Sequence, residues 1–277
     1  MGLASVQGID AGGSVVSMIF YAKTFLLALL FSSLGTAQAA QCSAKSSEKT
    51  VALVELYTSE GCDSCPPADR WLSSLGARRY APDRVVPIAP HVEYWDYIGW
   101  KDPYARQAHS ARQRKLAKLA RAAMVYTPQV LLQGQDFRDW GSGAFERAVA
   151  KINARPAKAR ISLSLDTRRK DAFEVEAAAE LADGSPNAAV ALYLGAYENK
   201  LVSEVKAGEN RGKTLPHDYV VLQWSGPLEF KAGRLAQRHV LPLLPMAVPE
   251  HSGVVAFVQN RANAEVLQAL MLPACPS

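Results

Sequence analysis

Residues 51–58, Val51-Ala52-Leu53-Val54-Glu55-Leu56-Tyr57-Thr58, form a strand-favouring run without a breaker, and Gly61-Cys62-Asp63-Ser64-Cys65-Pro66-Pro67 follows almost at once. Proline is tolerated in a helix only within the first turn, so the paired prolines predict a helix that opens near Cys65. Residues 68–77 continue it, with Trp71, Leu72 and Leu75 on one side, and residues 84–89 read as the next strand. A strand, a short crossover helix and a second strand make a βαβ unit. That unit forces the two strands parallel and brings their carboxyl ends to one sheet edge. The CxxC and the segment that follows Ala89 are therefore expected to share an edge.

Two cysteines separated by two residues, at a strand end and a helix start, are the layout of a dithiol redox site. In that reading Cys62 is the more exposed sulfur and the attacking thiolate, and Cys65 resolves the mixed disulfide. An acid such as Asp63 beside Cys62 would disfavour a thiolate there and oppose the helix dipole, so the direction of exchange stays open. Other readings of the motif stand beside this one. A structural zinc site would need more ligands than one CxxC, and the five histidines show no close pair. Cu(I) could be held by Cys62 and Cys65 with His91 as third ligand. The pair could also be an inert disulfide in a binding module. No cofactor and no metal enter the preferred reading.

The chain has 277 residues, 49% of them hydrophobic, which suffices for a large core and suggests two domains. Lys23, the apolar run 24–31 and the small-x-small pattern Ala37-Gln38-Ala39 read as a secretory signal over residues 1–39, with Met18 a plausible true start. No later segment is apolar for long enough to span a bilayer as a helix. Cleavage removes one acid, Asp10, and one base, Lys23, leaving the formal charge at +5, too small an excess to indicate nucleic acid as a partner. The four cysteines fit an oxidising compartment, either periplasmic or extracellular. Cys42 and Cys275 are the natural candidates for a structural bridge, although three pairings are open on paper.

Asp102 and Pro103 read as a cap and first turn of a helix reaching about residue 124, with its basic residues from Arg112 to Arg121 on a solvated face. Residues 125–134 then carry Thr127-Pro128, a strand and a Gly turn, and a last helix spans 143–153. Beyond Pro156 the pattern alternates, with strands expected at 160–166, 172–180, 188–197, 219–224 and 253–259.

The run from Val54 through the CxxC to Asp69, with Thr127-Pro128 downstream, resembles a thioredoxin-like domain. With His91-Val92-Glu93-Tyr94-Trp95-Asp96 and the stretch Gly208 to His217, it resembles more narrowly a family of secreted bacterial proteins of unknown function that join such a domain to a C-terminal β domain. The resemblance implies an α/β thioredoxin-like domain over 48–155 followed by a mainly β, sandwich-like domain over 157–277. It also implies a cis bond before Pro128, lying against the dithiol and shaping a groove in which the Thr127 backbone pairs with substrate. Glu55 would be a buried proton acceptor for the resolving cysteine. His91, Trp95 and Asp96, emerging at the shared edge, are candidates for substrate recognition. The expected function is thiol–disulfide exchange with protein or small thiol clients or a redox partner protein. Its rival is a non-enzymatic binding or assembly module.

Overall fold

The computed structural model describes residues 41–77, 80–184 and 189–275. The signal segment and its alternative start at Met18 lie outside the described residues. Residues Gln38–Ser277 form one compact unit. No helix among the described residues is long and apolar enough to cross a membrane.

The predicted βαβ unit forms. Strand β2 (Ala52–Tyr57) pairs parallel with β3 (Val85–Ile88), and α1 (Pro66–Ala77) connects them, starting at the first of the two prolines. β4 (Gln129–Leu132) joins the other side of β2 antiparallel, and the short β5 (Gln135–Asp136) completes a mixed sheet in the order β3-β2-β4-β5. Strand alternation sorts β2 cleanly. Val54 and Leu56 pack with Ala68, Trp71, Leu72 and Leu75 of α1 and with Phe145, Val149 and Ile152 of α3 (Gly143–Asn153). The opposite face carries Leu53, Glu55 and Tyr57.

What covers that opposite face overturns the expected fold class. Part of it packs on α2 (Gln107–Leu119) through Tyr57 and Leu116, but Val51, Leu53, Val86 and Ile88 lie against a second sheet, not against helices. This second sheet has the order β11-β8-β13-β14: β11 (Val220–Glu229), β8 (Val190–Glu198), β13 (Ser252–Asn260) and β14 (Val266–Pro273). Its far face packs on a third sheet, β1 (Gln41–Lys45), β6 (Ala159–Asp166), β7 (Ala172–Leu181) and β12 (Arg234–Pro242), around Ile161, Leu163, Phe173, Val175, Leu192 and Val254. A two-stranded ribbon, β9 (Leu201–Glu204) with β10 (Thr214–His217), completes the set.

The chain is thus mostly β, with fourteen strands against three α-helices among the described residues, not an α/β thioredoxin-like domain followed by a β domain. The physical reason is burial on both faces of the middle sheet. β8 is buried along its whole length because Leu192 and Leu194 enter one core while Ala191 and Tyr193 enter the other. The resemblance rested on local patterns, which carry no information about which layer covers which. The helix expected from Asp102 also begins later, at Gln107 with Arg106 in the N-cap position, because the Asp102 carboxylate is engaged elsewhere.

Candidate functional site

The turn after β2 brings Cys62 and Cys65 into a disulfide, and a second disulfide joins Cys42 to Cys275. The CxxC turn is built from its own backbone: Cys62 N–H donates to Ser59 O at 3.1 Å and Cys65 N–H to Cys62 O at 3.2 Å. Cys65 then caps α1, its carbonyl accepting the N–H groups of Ala68 (2.9 Å) and Asp69 (3.1 Å). Contrary to the expectation of an exposed Cys62, both cysteines have 0% of their surface accessible.

The cover comes from two directions. Trp95, in the 3₁₀ turn Glu93–Ile98, stands so close to Gly61 that a Cβ there would lie 2.9 Å from the Trp95 Cβ. From the other side Asn210, between β9 and β10, donates from Nδ2 to Glu60 O at 2.8 Å and Cys62 O at 2.9 Å, and Glu209 accepts the Asp63 N–H at 3.2 Å.

The segment after Ala89 does reach the CxxC edge: Thr58 and His91 form a parallel bridge, with Val92 N–H donating to Thr58 O at 2.9 Å. Trp95 Nε1–H donates to Thr127 Oγ1 at 2.7 Å, which ties the dithiol edge to Thr127, and the Thr127–Pro128 bond is cis. Pro128 lines an open groove of about 600 Å³ with Met124, Tyr126, Arg138 and Trp140. Asp96 accepts the Asp102 N–H at 3.2 Å, and burial raises its pKa.

His91 is not a surface group. It is fully buried, with Nδ1 2.8 Å from Asp102 Oδ2. Burial opposes its protonation, but the Asp102 carboxylate outweighs this and raises the His91 pKa. Burial likewise pushes Asp102 up, while the His91 charge and the Glu60 and Tyr104 N–H groups more than reverse it, so its pKa is lowered. His109 donates from Nδ1 to His91 O at 2.8 Å and is held by burial at a pKa of about 4, hence neutral.

Reading along the sequence missed the rest of this cluster. Glu60 is fully buried, 3.1 Å from His217 Nε2 and accepting the Trp100 Nε1–H at 2.7 Å. The His91 and His217 rings stand 4.9 Å apart, edge to face. Asp69, one helical turn beyond Cys65, is buried; burial raises its pKa against the pull of the His217 and His91 charges. The four-residue spacing from Cys65 was the available signal for Asp69. Nothing local marks Glu60 and His217 as partners, since 157 positions separate them.

Glu55 is buried in β2, as expected, and its carboxylate is paired with an arginine. Strand alternation turns it away from α1, and Arg112 holds it with two hydrogen bonds, Nε to Oε2 at 2.8 Å and Nη2 to Oε1 at 2.9 Å, while Tyr57 donates to Oε2 at 3.0 Å. Arg112, expected on a solvated face, is instead enclosed by the rings of Phe257, Tyr193 and Trp224 at 4.8, 5.1 and 5.3 Å. The ion pair fastens α2 to the middle sheets.

Among the described residues no group of three or more His, Cys, Asp or Glu side chains is placed to hold a metal ion. What the site holds is a disulfide beside a buried set of carboxylates and imidazoles. Two disulfides fit an extracytoplasmic compartment.

Two solved structures share the fold. Protein AGR_C_4864 from Agrobacterium tumefaciens is 23% identical, with a TM-score of 0.59 over 84% of this chain and 98% of that one. HBP35 of Porphyromonas gingivalis is 16% identical, with a TM-score of 0.62 over 83% of this chain and 76% of that one. No curated protein matches the chain. Residues 53–259 match the model of a family described as "Protein of unknown function (DUF1223)", and the chain belongs to that family.

Proposed function

We propose that the chain is an exported, periplasmic or secreted protein that carries out thiol–disulfide exchange through Cys62 and Cys65. The observation that carries this reading is the CxxC disulfide at the junction of β2 and α1, bordered by buried groups able to hold protons, Asp69 and His91. In the oxidised protein a client thiolate attacks Cys62. The new S–S bond forms as the Cys62–Cys65 bond breaks, and Cys65 leaves as a thiolate that takes a proton. A second client thiolate then attacks the mixed disulfide and releases Cys62, so two electrons pass from the client dithiol to the protein. The reverse sequence oxidises the protein. The groove at Pro128, tied to the dithiol edge through Thr127 and Trp95, offers a seat for the client.

The complete burial of both cysteines favours a second reading, a fixed disulfide inside a binding module. Replacement of Cys65 by Ala separates the two. In the exporting host Cys65→Ala is expected to accumulate mixed disulfides through Cys62, visible as reductant-sensitive high-mass bands. Absence of such adducts would leave the module.

A further inference from the structure

Residues 205–213 between β9 and β10 fold back on themselves. Gly212 N–H donates to Val205 O at 2.8 Å, Val205 N–H to Lys213 O at 3.0 Å and Lys213 N–H to Asn210 O at 3.0 Å. The tip of this strap lies on the CxxC turn, and Asn210 alone is buried between positions 206 and 214. Both N–H groups of its amide donate, to Glu60 O and Cys62 O, and Oδ1 accepts from Lys213 Nζ at 2.8 Å. The Cys62 carbonyl it grips is the one that also accepts Cys65 N–H, so the strap is fastened to the backbone of the disulfide turn itself. Glu209 adds the bond to Asp63 N–H.

The strap is also built to move. Its hydrogen bonds at the tip are polar, and its apolar approaches are those of Gly208 to Ile98 and Trp100 and of Ala207 to Gly99, so lifting it separates a small contact and costs less than global unfolding. Gly208 (φ +72°) and Gly212 (φ +82°) bracket the latch, and glycine accepts other backbone conformations at both positions. Its base is anchored independently by the β9–β10 pairing and by His217 on Glu60.

We propose that this strap gates the disulfide: residues 208–211 close over Cys62 and Cys65, Asn210 is the latch, and thiols reach the sulfurs only when the latch releases. The inference rests on the exchange reading, for which it supplies the access route that the buried sulfurs lack. It is tested without a client by following reduction with dithiothreitol, whose first thiolate attacks one sulfur and displaces the other. Its second thiol then closes a cyclic disulfide, so that two electrons reach the protein. Each pair is counted by alkylation and peptide mass. Asn210→Ala is expected to speed reduction of Cys62–Cys65 about tenfold, in keeping with the loss of the two hydrogen bonds that join the strap to the disulfide turn. The surface change Glu209→Ala should speed it about twofold to threefold for one. The reduction rate of Cys42–Cys275 should be unchanged in both variants. Equal rates in wild type and both variants overturn the gate, as does a parallel acceleration of both disulfides, which would report general loosening. Accelerated reduction without trapped clients would remove the exchange reading alone, and trapped clients with unaltered reduction rates would remove the gate alone.

Discussion

At the scale of the residue, the buried ionisable cluster beside the disulfide has the largest consequences. Asp69 is the clearest case, because burial raises its pKa while His91 and His217 pull the other way and Glu60 and Asp102 complete the group. Between the ordinary aspartate value of about 4 and the raised value, the folded chain holds a proton that the unfolded chain has released, so stability falls as pH rises through that window. Asp69→Asn, which cannot ionise, should therefore raise the urea midpoint relative to wild type at about pH 7.5, with the gap closing towards about pH 4. A gap that does not vary with pH would show that ionisation of Asp69 is not the source. Cys62, Cys65 and Thr127-Pro128 were legible along the chain because their spacing and their backbone chemistry are local. Glu60 and His217 were not, because a buried carboxylate and its imidazole are recognisable only once the fold has removed water from both.

At the scale of the element, boundaries set by backbone chemistry were legible and boundaries set by side-chain partners were not. The start of α1 at Pro66 follows from the missing proline N–H, and α3 spans the predicted 143–153 with Ser142 as its cap. The start of α2 escaped, since the Asp102 side chain bonds to His91, Glu60 and Tyr104 rather than capping a helix at 102. The turn joining β4 and β5 has both kinds of determinant. Gln133 and Gly134 both have positive φ, as a tight two-residue hairpin demands, and the Gly turn was expected. The tertiary contact adds a second constraint: a Cβ on Gly134 would lie 2.3 Å from Ala264 O, at the turn between β13 and β14. Gly134→Ala should cost about 2–4 kcal/mol from the left-handed backbone and the overlap together, read as a lower denaturant midpoint with unchanged m-value. A cost below about 1 kcal/mol would mean that the two turns separate freely.

At the scale of the whole molecule, a helix layer and three sheets stack around successive cores. Edge strand β1 is fastened to the end of β14 by the Cys42–Cys275 disulfide, which spans 233 positions. Closing so long a loop restricts the unfolded chain, so Cys42→Ser paired with Cys275→Ser should lower stability by about 2–5 kcal/mol in urea unfolding, while the Cys62–Cys65 pair stays bonded. An unchanged midpoint would assign the fastening of β1 to its pairing with β6 alone. The strand over 188–197 was expected to alternate like its neighbours, but β8 is buried at every position, and only the covering layers on its two faces account for that. The sequence by itself determined the strand and helix periods, the parallel βαβ unit, the helix start at the prolines and the proximity of two cysteines, because each depends on neighbours along the chain. Only the tertiary structure decided that a second sheet packs on the face of β2 turned away from α1, that Glu55 is held by Arg112, and that Asn210 is bonded to the carbonyl of Cys62. Those outcomes depend on which distant surfaces exclude water from one another, and one-dimensional spacing does not encode that.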